Sequence, residues 1–222
     1  MILGIDTTGA HLKMGLAVEG RISVQKWDNG PKHSRALLPQ MLTFLEDRAA
    51  TLEQLSALAF SQGPGSFTGL RVAVGVVQGL AYGLGLPVIA VPTMAVIALK
   101  AGRTKKVDDV LVVIHAREDE VYGGFFRNCQ SGFPVLSDGP GVYTRADLED
   151  RLDQHWALAG DGAFIFDEAK ALTSLGSTDI VEADADDLMR LASVMHDRGL
   201  TVSPLAAAPL YVRETVASKS KV

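Results

Sequence analysis

The sequence has a single cysteine, Cys129, among 222 residues, so an internal disulfide and a cysteine-rich metal site are both excluded. A lone thiol of this kind is typically a small apolar residue, and leaving it unpaired fits a reducing cytoplasm. Basic residues are also few, with 21 Lys and Arg against 26 Asp and Glu and a formal net charge of −5. Because phosphate neutralisation needs clustered cations, this balance argues against nucleic-acid binding by the chain acting alone.

Three common kinds of catalytic motif are missing. No lysine follows Gly69 at the spacing of a nucleotide-binding P-loop, and no Gly-x-Ser-x-Gly elbow makes Ser66 a nucleophile. His33 precedes an amphipathic helix and is interpreted as a capping or surface residue. The five histidines lack the spacing of metal ligands: His11, His33, His115, His155 and His196. The residues therefore predict neither a catalytic group nor a metal site.

Charge is absent from residues 72–91, so a membrane span has to be considered. Gln78, Tyr82 and several glycines interrupt this stretch, and Gly85-Leu86-Pro87 is typical of a helix stop before a strand. The sequence also opens directly on a strand, without the pattern of a signal peptide. We therefore expect a soluble cytoplasmic protein that is not inserted in a membrane.

A glycine-rich stretch at residues 63–69 is the most informative feature present. It follows the apolar run at residues 58–60 and precedes an apolar helix, so it predicts a strand, a tight loop and a helix N-terminus. Backbone N–H groups left free in such a loop can meet an anion or a partner's backbone. The candidate residues of this loop are Gly63, Gly65, Ser66, Phe67, Thr68 and Gly69.

The helix that follows is apolar on nearly every side, and its polar residues form one narrow stripe: Arg71, Gln78 and Tyr82. Glycine recurs every four residues and makes a flat ridge that another helix can approach closely: Gly75, Gly79 and Gly83. Each glycine costs about 1 kcal/mol of helix propensity relative to alanine, so the repeat indicates a packing reason. Two interpretations stay open, a helix central to one core and a helix shared between a core and a partner.

The order of elements predicts an α/β fold made of two ribonuclease-H-like half domains. Strands at residues 2–6, 12–18 and 21–27 are followed by helix, strand, helix, strand and helix up to residue 101. The stretch Gly102–Lys106 breaks this pattern, which predicts an N-terminal domain over residues 1–102 and a smaller, degraded copy over 103–222. A late helix at about 186–199 is expected to pack on the first domain.

Several motifs spread along the chain carry a family resemblance: Ile5-Asp6-Thr7-Thr8, His33-x-x-x-Leu37-Leu38-Pro39, the block Gly63–Arg71, Glu120-Val121-Tyr122 and Pro209–Arg213. Together they resemble the TsaB family, also called YeaZ. The resemblance spans essentially the whole chain, and the Gly63–Arg71 block is specific. It implies the fold of the acetate kinase, sugar kinase, Hsp70 and actin superfamily.

The resemblance also implies a function in tRNA modification. A TsaB-like chain is expected to be a non-catalytic subunit that supports TsaD in transferring a threonylcarbamoyl group to N6 of adenosine 37, in tRNAs reading codons that start with A. TsaE is the ATPase of this set, tRNA contact is expected only through the complex, and the chain alone is expected to form a homodimer. The resemblance places the interface on the two N-terminal helices, with these candidate residues: Leu37, Leu38, Met41, Leu45, Arg71, Gly75, Gln78, Gly79, Tyr82 and Gly83.

Two departures from related patterns bear on chemistry. TsaD-like relatives hold a metal with two histidines four residues apart, and the matching positions here are Thr93 and Ile97, which cannot serve as that ligand pair. The family commonly has Asp-Ala-Arg where this chain has His115-Ala116-Arg117. A neutral imidazole can keep a hydrogen bond there but not the charge.

Two loops are candidates for a nucleotide site: Asp6, Thr7, Thr8 and Gly9 after the first strand, and Gly160, Asp161 and Gly162 later in the chain. In kinase relatives such loops take phosphates and a carboxylate orients Mg²⁺. We favour ordinary turns, because no nearby Lys or Arg is evident as a phosphate partner. Cofactors are therefore expected to be absent from the isolated chain, with nucleotide bound weakly or only in the complex. The alternatives to a binding subunit are an ATP-dependent kinase or ATPase and, third, a metallopeptidase.

Overall fold

The computed structural model describes residues 1–28, 33–151, 156–166 and 176–213. Contacts divide the chain into a first unit, Met1–Thr93 with Asp184–Leu210, and a second unit, Met94–Ala183 with the residues from Tyr211. The sequence predicted one boundary after residue 102 instead. A helix continues through that point to Lys105, and a Cβ at Gly102 would collide with the backbone of Cys129. Gly102 therefore permits close packing and does not break the chain.

The first unit is built on a five-stranded sheet with the order β3-β2-β1-β4-β5. Strands β1, β2 and β3 form an antiparallel meander, while β4 and β5 continue the sheet parallel to β1. The bounds of these strands are β1 Ile2–Asp6, β2 Leu12–Val18, β3 Arg21–Trp27, β4 Ala57–Gly63 and β5 Val88–Pro92. This arrangement confirms the predicted ribonuclease-H-like half domain, and the three meander strands begin and end where the sequence predicts.

Helices cover both faces of this sheet. The helices α1, His33–Glu46, and α2, Phe67–Leu84, share one hydrophobic core with alternate residues of the central strands, such as Ile5 and Phe60. On the opposite face lies a later helix, Ala185–Asp197, whose Met189 fills the space above two glycines of β1 and β2. In sequence this helix follows the strands of the second unit, but it packs on the first sheet.

The second unit repeats the same strand pattern in reduced form. Its sheet has the order β8-β7-β6-β9-β10, with β6, β7 and β8 antiparallel and with β9 and β10 parallel to β6. The bounds are β6 Val110–Arg117, β7 Glu120–Arg127, β8 Val135–Tyr143, β9 Ala157–Ala159 and β10 Gly176–Ser177. The helices of this part are α3, Thr93–Lys105, and α4, Arg145–Glu149, so the helix at Ala185–Asp197 is α5. Because β9 and β10 have only three and two residues, the second sheet is a shortened copy of the first.

Helix α2 is long and apolar enough to cross a membrane by length and composition alone. Its buried residues Ala73, Val74 and Val77 contribute to the core that α1 and α2 share with the sheet. The core helix of a soluble protein passes the same test of length and composition, and we interpret α2 as such a helix.

Candidate docking face and the loop beneath it

One side of α2 is buried and the opposite side is open. A Cβ built on Gly75, Gly79 or Gly83 would meet no described atom within 4 Å outside its own stretch of helix. The glycine ridge therefore lies on the surface of the described part of the first unit. Their absence of side chains leaves a flat strip of helix backbone that a second helix can approach.

Aromatic side chains flank this flat strip. Phe67 is 56% exposed, and the guanidinium carbon of Arg71 lies 3.9 Å from the centre of its ring, in a cation–π contact. Tyr82, near the other end of the helix, is 70% exposed. Gln78 has a different role, because its Nε2 donates a hydrogen bond to the Ala207 carbonyl at 2.8 Å and fastens the turn Pro204–Ala206 beside α2.

Helix α1 corrects part of the predicted interface. Its exposed apolar residues are Leu38, at 44%, and Leu42, at 53%, one helical turn apart. The sequence did not single out Leu42, although its i+4 spacing from Leu38 was a usable signal. Three predicted interface residues are instead buried in the core, with exposed fractions of 0, 1 and 2%: Leu37, Met41 and Leu45. Their side chains cannot form part of a surface contact.

The exposed apolar residues and glycines of α1 and α2, two helices that contact each other, form together with Arg71 what we call the docking face, while α1 also exposes Arg35, Thr43 and Glu46. Its residues are Leu38, Leu42, Phe67, Arg71, Gly75, Gly79, Tyr82 and Gly83. Apolar residues predominate, and Arg71 is the only charged member of this set. A face of this composition fits a helical protein partner better than a phosphate or another strongly charged ligand.

The glycine-rich loop at the start of α2 packs directly against the turn between β1 and β2. The Ser66 N–H donates to the Thr8 carbonyl at 2.8 Å, and the Thr7 hydroxyl donates to the Gly69 carbonyl at 2.7 Å. A Cβ on Gly65 would collide with Thr8, and one on Gly69 would collide with the Thr7 carbonyl. Glycine is needed at these two positions because the two loops touch through their backbones.

The amides of this loop that were expected to be free have partners within the chain. Ser66 caps α2, with its hydroxyl oxygen accepting from the Gly69 N–H at 3.2 Å. The Gly63 N–H donates to the Thr93 hydroxyl at 3.0 Å. Thr93 thus fixes the end of β4. The expectation of free N–H groups is wrong for Gly63, Ser66 and Gly69.

A buried ion pair lies directly beside this turn. The Lys13 ammonium is 3.8 Å from Asp6 Oδ2, and the two side chains are only 4% and 0% exposed. The other oxygen, Asp6 Oδ1, accepts from the Thr8 N–H at 2.8 Å and from the Thr8 hydroxyl at 2.6 Å. The expectation that no lysine lies near this loop is therefore wrong. The register of the β1–β2 hairpin, which pairs Asp6 with Lys13, was the signal that could have found it.

The second candidate loop, Gly160-Asp161-Gly162, lies in the second unit and packs against β6. Asp161 Oδ1 accepts from the His115 N–H at 2.9 Å, and the His115 ring meets Phe164 edge-on with centroids 5.1 Å apart. A Cβ on Gly160 would collide with the Val113 carbonyl. The loop thus makes close structural contacts, and its aspartate binds a backbone amide.

Two of the motifs that carry the family resemblance meet in the second unit. Arg213 Nη2 donates to Glu120 Oε2 at 2.5 Å, which joins the Pro209–Arg213 segment to the start of β7. This hydrogen bond is the main cause that raises the pKa of Arg213, so the guanidinium stays charged. The pair thus links two segments that are far apart in the sequence.

Neither the cysteine nor the histidines form a reactive site in the described part of the chain. Cys129 is buried, and burial followed by the charges of Asp108 and Asp109 raises its pKa to about 12, so the thiol stays protonated at neutral pH. Among the described residues, no group of three or more His, Cys, Asp or Glu is arranged to hold a metal. His155 and the side chain of His33 lie outside the described residues.

Known proteins resemble the chain over nearly its whole length. A model of the TsaD family, tRNA N6-adenosine threonylcarbamoyltransferase, matches residues 29–133. The tRNA threonylcarbamoyladenosine biosynthesis protein TsaB of Escherichia coli is 30% identical, covering 98% of this chain and 96% of that protein. TsaB of Haemophilus influenzae is also 30% identical, covering 98% and 95%. A Pseudomonas aeruginosa crystal structure, described as similar to peptidase YeaZ, matches with a TM-score of 0.85 and 32% identity, covering 96% and 99%.

A lysine substitution should lower stability strongly on the buried side of α1 and hardly at all on its exposed side. Met41→Lys places an unpaired charge in the core and should lower the free energy of unfolding by about 4 kcal/mol or more. Leu42→Lys, on the exposed side, should change it by no more than about 0.5 kcal/mol. Urea unfolding followed by circular dichroism measures both values, and equal losses would contradict this assignment of the two sides.

Proposed function

Because the chain belongs to the TsaB family, we propose that it is the accessory subunit that binds TsaD and supports threonylcarbamoyl transfer to N6 of adenosine 37 in tRNA. Similarity to TsaB proteins along almost the entire chain is the observation that carries this proposal. The structure adds a physical reason for a partner, namely an exposed apolar face whose centre is bare helix backbone. The compartment of this reaction is the cytoplasm.

The docking face is the surface on which TsaD binds. Residues 29–133, which match the TsaD family model, include both α1 and α2. TsaD therefore offers a related pair of helices, and two such pairs can pack in a nearly symmetric four-helix contact. Glycines at the centre let the helix backbones come close, while Phe67 and Tyr82 supply large apolar area at the two ends. The same face holds a second copy of the chain when TsaD is absent, and TsaE and tRNA join only the assembled complex.

In this proposal TsaD carries out the threonylcarbamoyl transfer reaction. Positioning an acyl donor and stabilising the charge that develops on transfer require a matched set of polar groups or a metal. Within the described residues, the docking face supplies one cation, Arg71, and the cysteine is held as a neutral thiol. The subunit instead contributes binding surface, which can hold TsaD in its active shape.

We predict that a reconstitution with TsaD, TsaE, tRNA and threonylcarbamoyl-AMP depends on this chain. Omitting it should abolish or strongly reduce threonylcarbamoyladenosine, and the chain without TsaD should make none. Nucleoside analysis of the digested tRNA is the readout. Undiminished product without the chain would contradict the subunit role, and product from the chain alone would contradict its non-catalytic nature.

A substitution on the glycine ridge tests where TsaD binds. Gly79→Arg places a long charged side chain in open space, so the chain should stay folded while its affinity for TsaD falls at least about tenfold, because a charge is buried on docking. Val135→Arg, on the exposed edge strand β8 of the second unit, is the matched control and should leave affinity unchanged. Light scattering and calorimetric titration measure the affinity of each variant for TsaD. Unchanged binding of Gly79→Arg would refute this location.

The isolated chain carries no tightly bound cofactor in this proposal. Asp6 already faces the Lys13 ammonium, so its carboxylate lacks the free charge with which Mg²⁺ would be held. We predict that the purified chain contains no stoichiometric zinc or iron and does not hydrolyse ATP. Elemental analysis and a phosphate-release assay check this. ATP turnover that disappears in Asp6→Ala would favour the second candidate, a kinase or ATPase of the same superfamily.

A further inference from the structure

An exposed leucine lies beside α2 on a turn that comes late in the sequence. Leu205, in the turn Pro204–Ala206, is 79% exposed, which is more than Tyr82 at 70%. Two residues later, Ala207 is only 2% exposed and belongs to the core that α1 and α2 share with the sheet. The chain is thus anchored in this core directly after it presents Leu205 to solvent.

Hydrogen bonds fasten the turn to the first sheet on both sides. Before the turn, the backbones of Val88 and Val202 exchange two hydrogen bonds, at 2.8 and 2.9 Å. After it, Gln62 Nε2 donates to the Ala208 carbonyl at 3.1 Å, and the Leu210 N–H donates to the Gln62 carbonyl at 2.8 Å. Because these bonds position the turn before a partner arrives, docking against it costs little ordering entropy.

Gln78 determines the side of α2 on which the turn lies. Its Nε2 donates to the Ala207 carbonyl at 2.8 Å. Gln78 follows Arg71 by seven residues and precedes Tyr82 by four, so at about 3.6 residues per turn the three share one side of the helix. The turn is therefore next to the exposed stripe that carries Arg71 and Tyr82, and it continues the docking face beyond the two helices.

We propose that Leu205 is a contact residue for TsaD and that its turn is a third part of the docking face, beside α1 and α2. The inference rests on the proposed function and deepens it, since TsaD is the occupant of the face that the turn continues. The turn lies outside residues 29–133, so it adds a contact beyond the helix pair that the TsaD family model covers.

The chemistry of a leucine defines what meets it on the partner. Its side chain stabilises a contact only where water is displaced from both surfaces, so TsaD offers an apolar depression at this point. Gln78 is a positioning residue in this arrangement, because its hydrogen bond holds the turn that carries Leu205.

The first test measures the TsaD affinity of variants by calorimetric titration. Leu205→Ser should weaken binding about tenfold, the loss expected when a leucine is removed from a buried contact. Leu205→Met keeps the apolar volume and should retain most of the affinity. The matched control is Leu200→Ser, which should leave the affinity unchanged. Leu200 is also exposed, at 48%, but lies at the end of α5, where its N–H donates to the Met195 carbonyl at 2.8 Å.

A double-variant cycle separates positioning by Gln78 from direct contact. Gln78→Met keeps the length of the side chain but removes the donor to Ala207, so it should weaken TsaD binding at least about threefold. In the Leu205→Ser background the same change should add little, because the turn no longer carries the contact. An equal loss in both backgrounds, or none in either, would overturn the positioning role.

A Leu205→Ser variant that binds TsaD like the wild type, or that loses no more affinity than Leu200→Ser, would overturn the proposal. Weaker self-association of Leu205→Ser with unchanged TsaD binding would assign the turn to a contact between two copies of the chain, and would overturn it as well. A wild-type chain that does not bind TsaD at all would instead overturn the proposed function, so the failures are distinguishable.

Discussion

The contact between the β1–β2 turn and the start of α2 is the constraint on which the first unit depends. Thr7 and Thr8 bind the backbone of the glycine-rich loop, and Gly65 and Gly69 remove the side chains that would keep the two loops apart. This contact sets where α2 begins on the sheet. One side of the helix then completes the core, and the other side is left open as the docking face.

Part of the hydrogen-bonding capacity of the glycine-rich loop is used within the fold. The amides of Ser66 and Gly69 are satisfied by Thr8 and by the Ser66 hydroxyl, and the carboxylate of Asp6 faces Lys13. These amides and this carboxylate are thus engaged within the fold.

Whether the sequence predicts a structural feature depends on whether local residues determine that feature. The β1–β3 meander follows from alternation and tight turns, and these strands have the predicted bounds. Strand β8 was not predicted, because Gly139 and Pro140 are typical of turns, and an edge strand tolerates them. The different exposure of two adjacent leucines was also not predicted: Leu37 is buried and Leu38 is exposed, because the packing of α1 decides which side faces the core. The Lys13–Asp6 pair depends on hairpin register, and local composition does not reveal it.

The central claim is that the open side of α1 and α2 binds TsaD. Hydrogen exchange of the chain, measured first at a dilution at which light scattering shows a monomer and then with saturating TsaD, tests it most directly. The account predicts slower exchange along α2 and around residues 38–42 of α1, with the amides of strand β8 unchanged. Protection confined to β8 or to other parts of the second unit, with α2 unaffected, would contradict it.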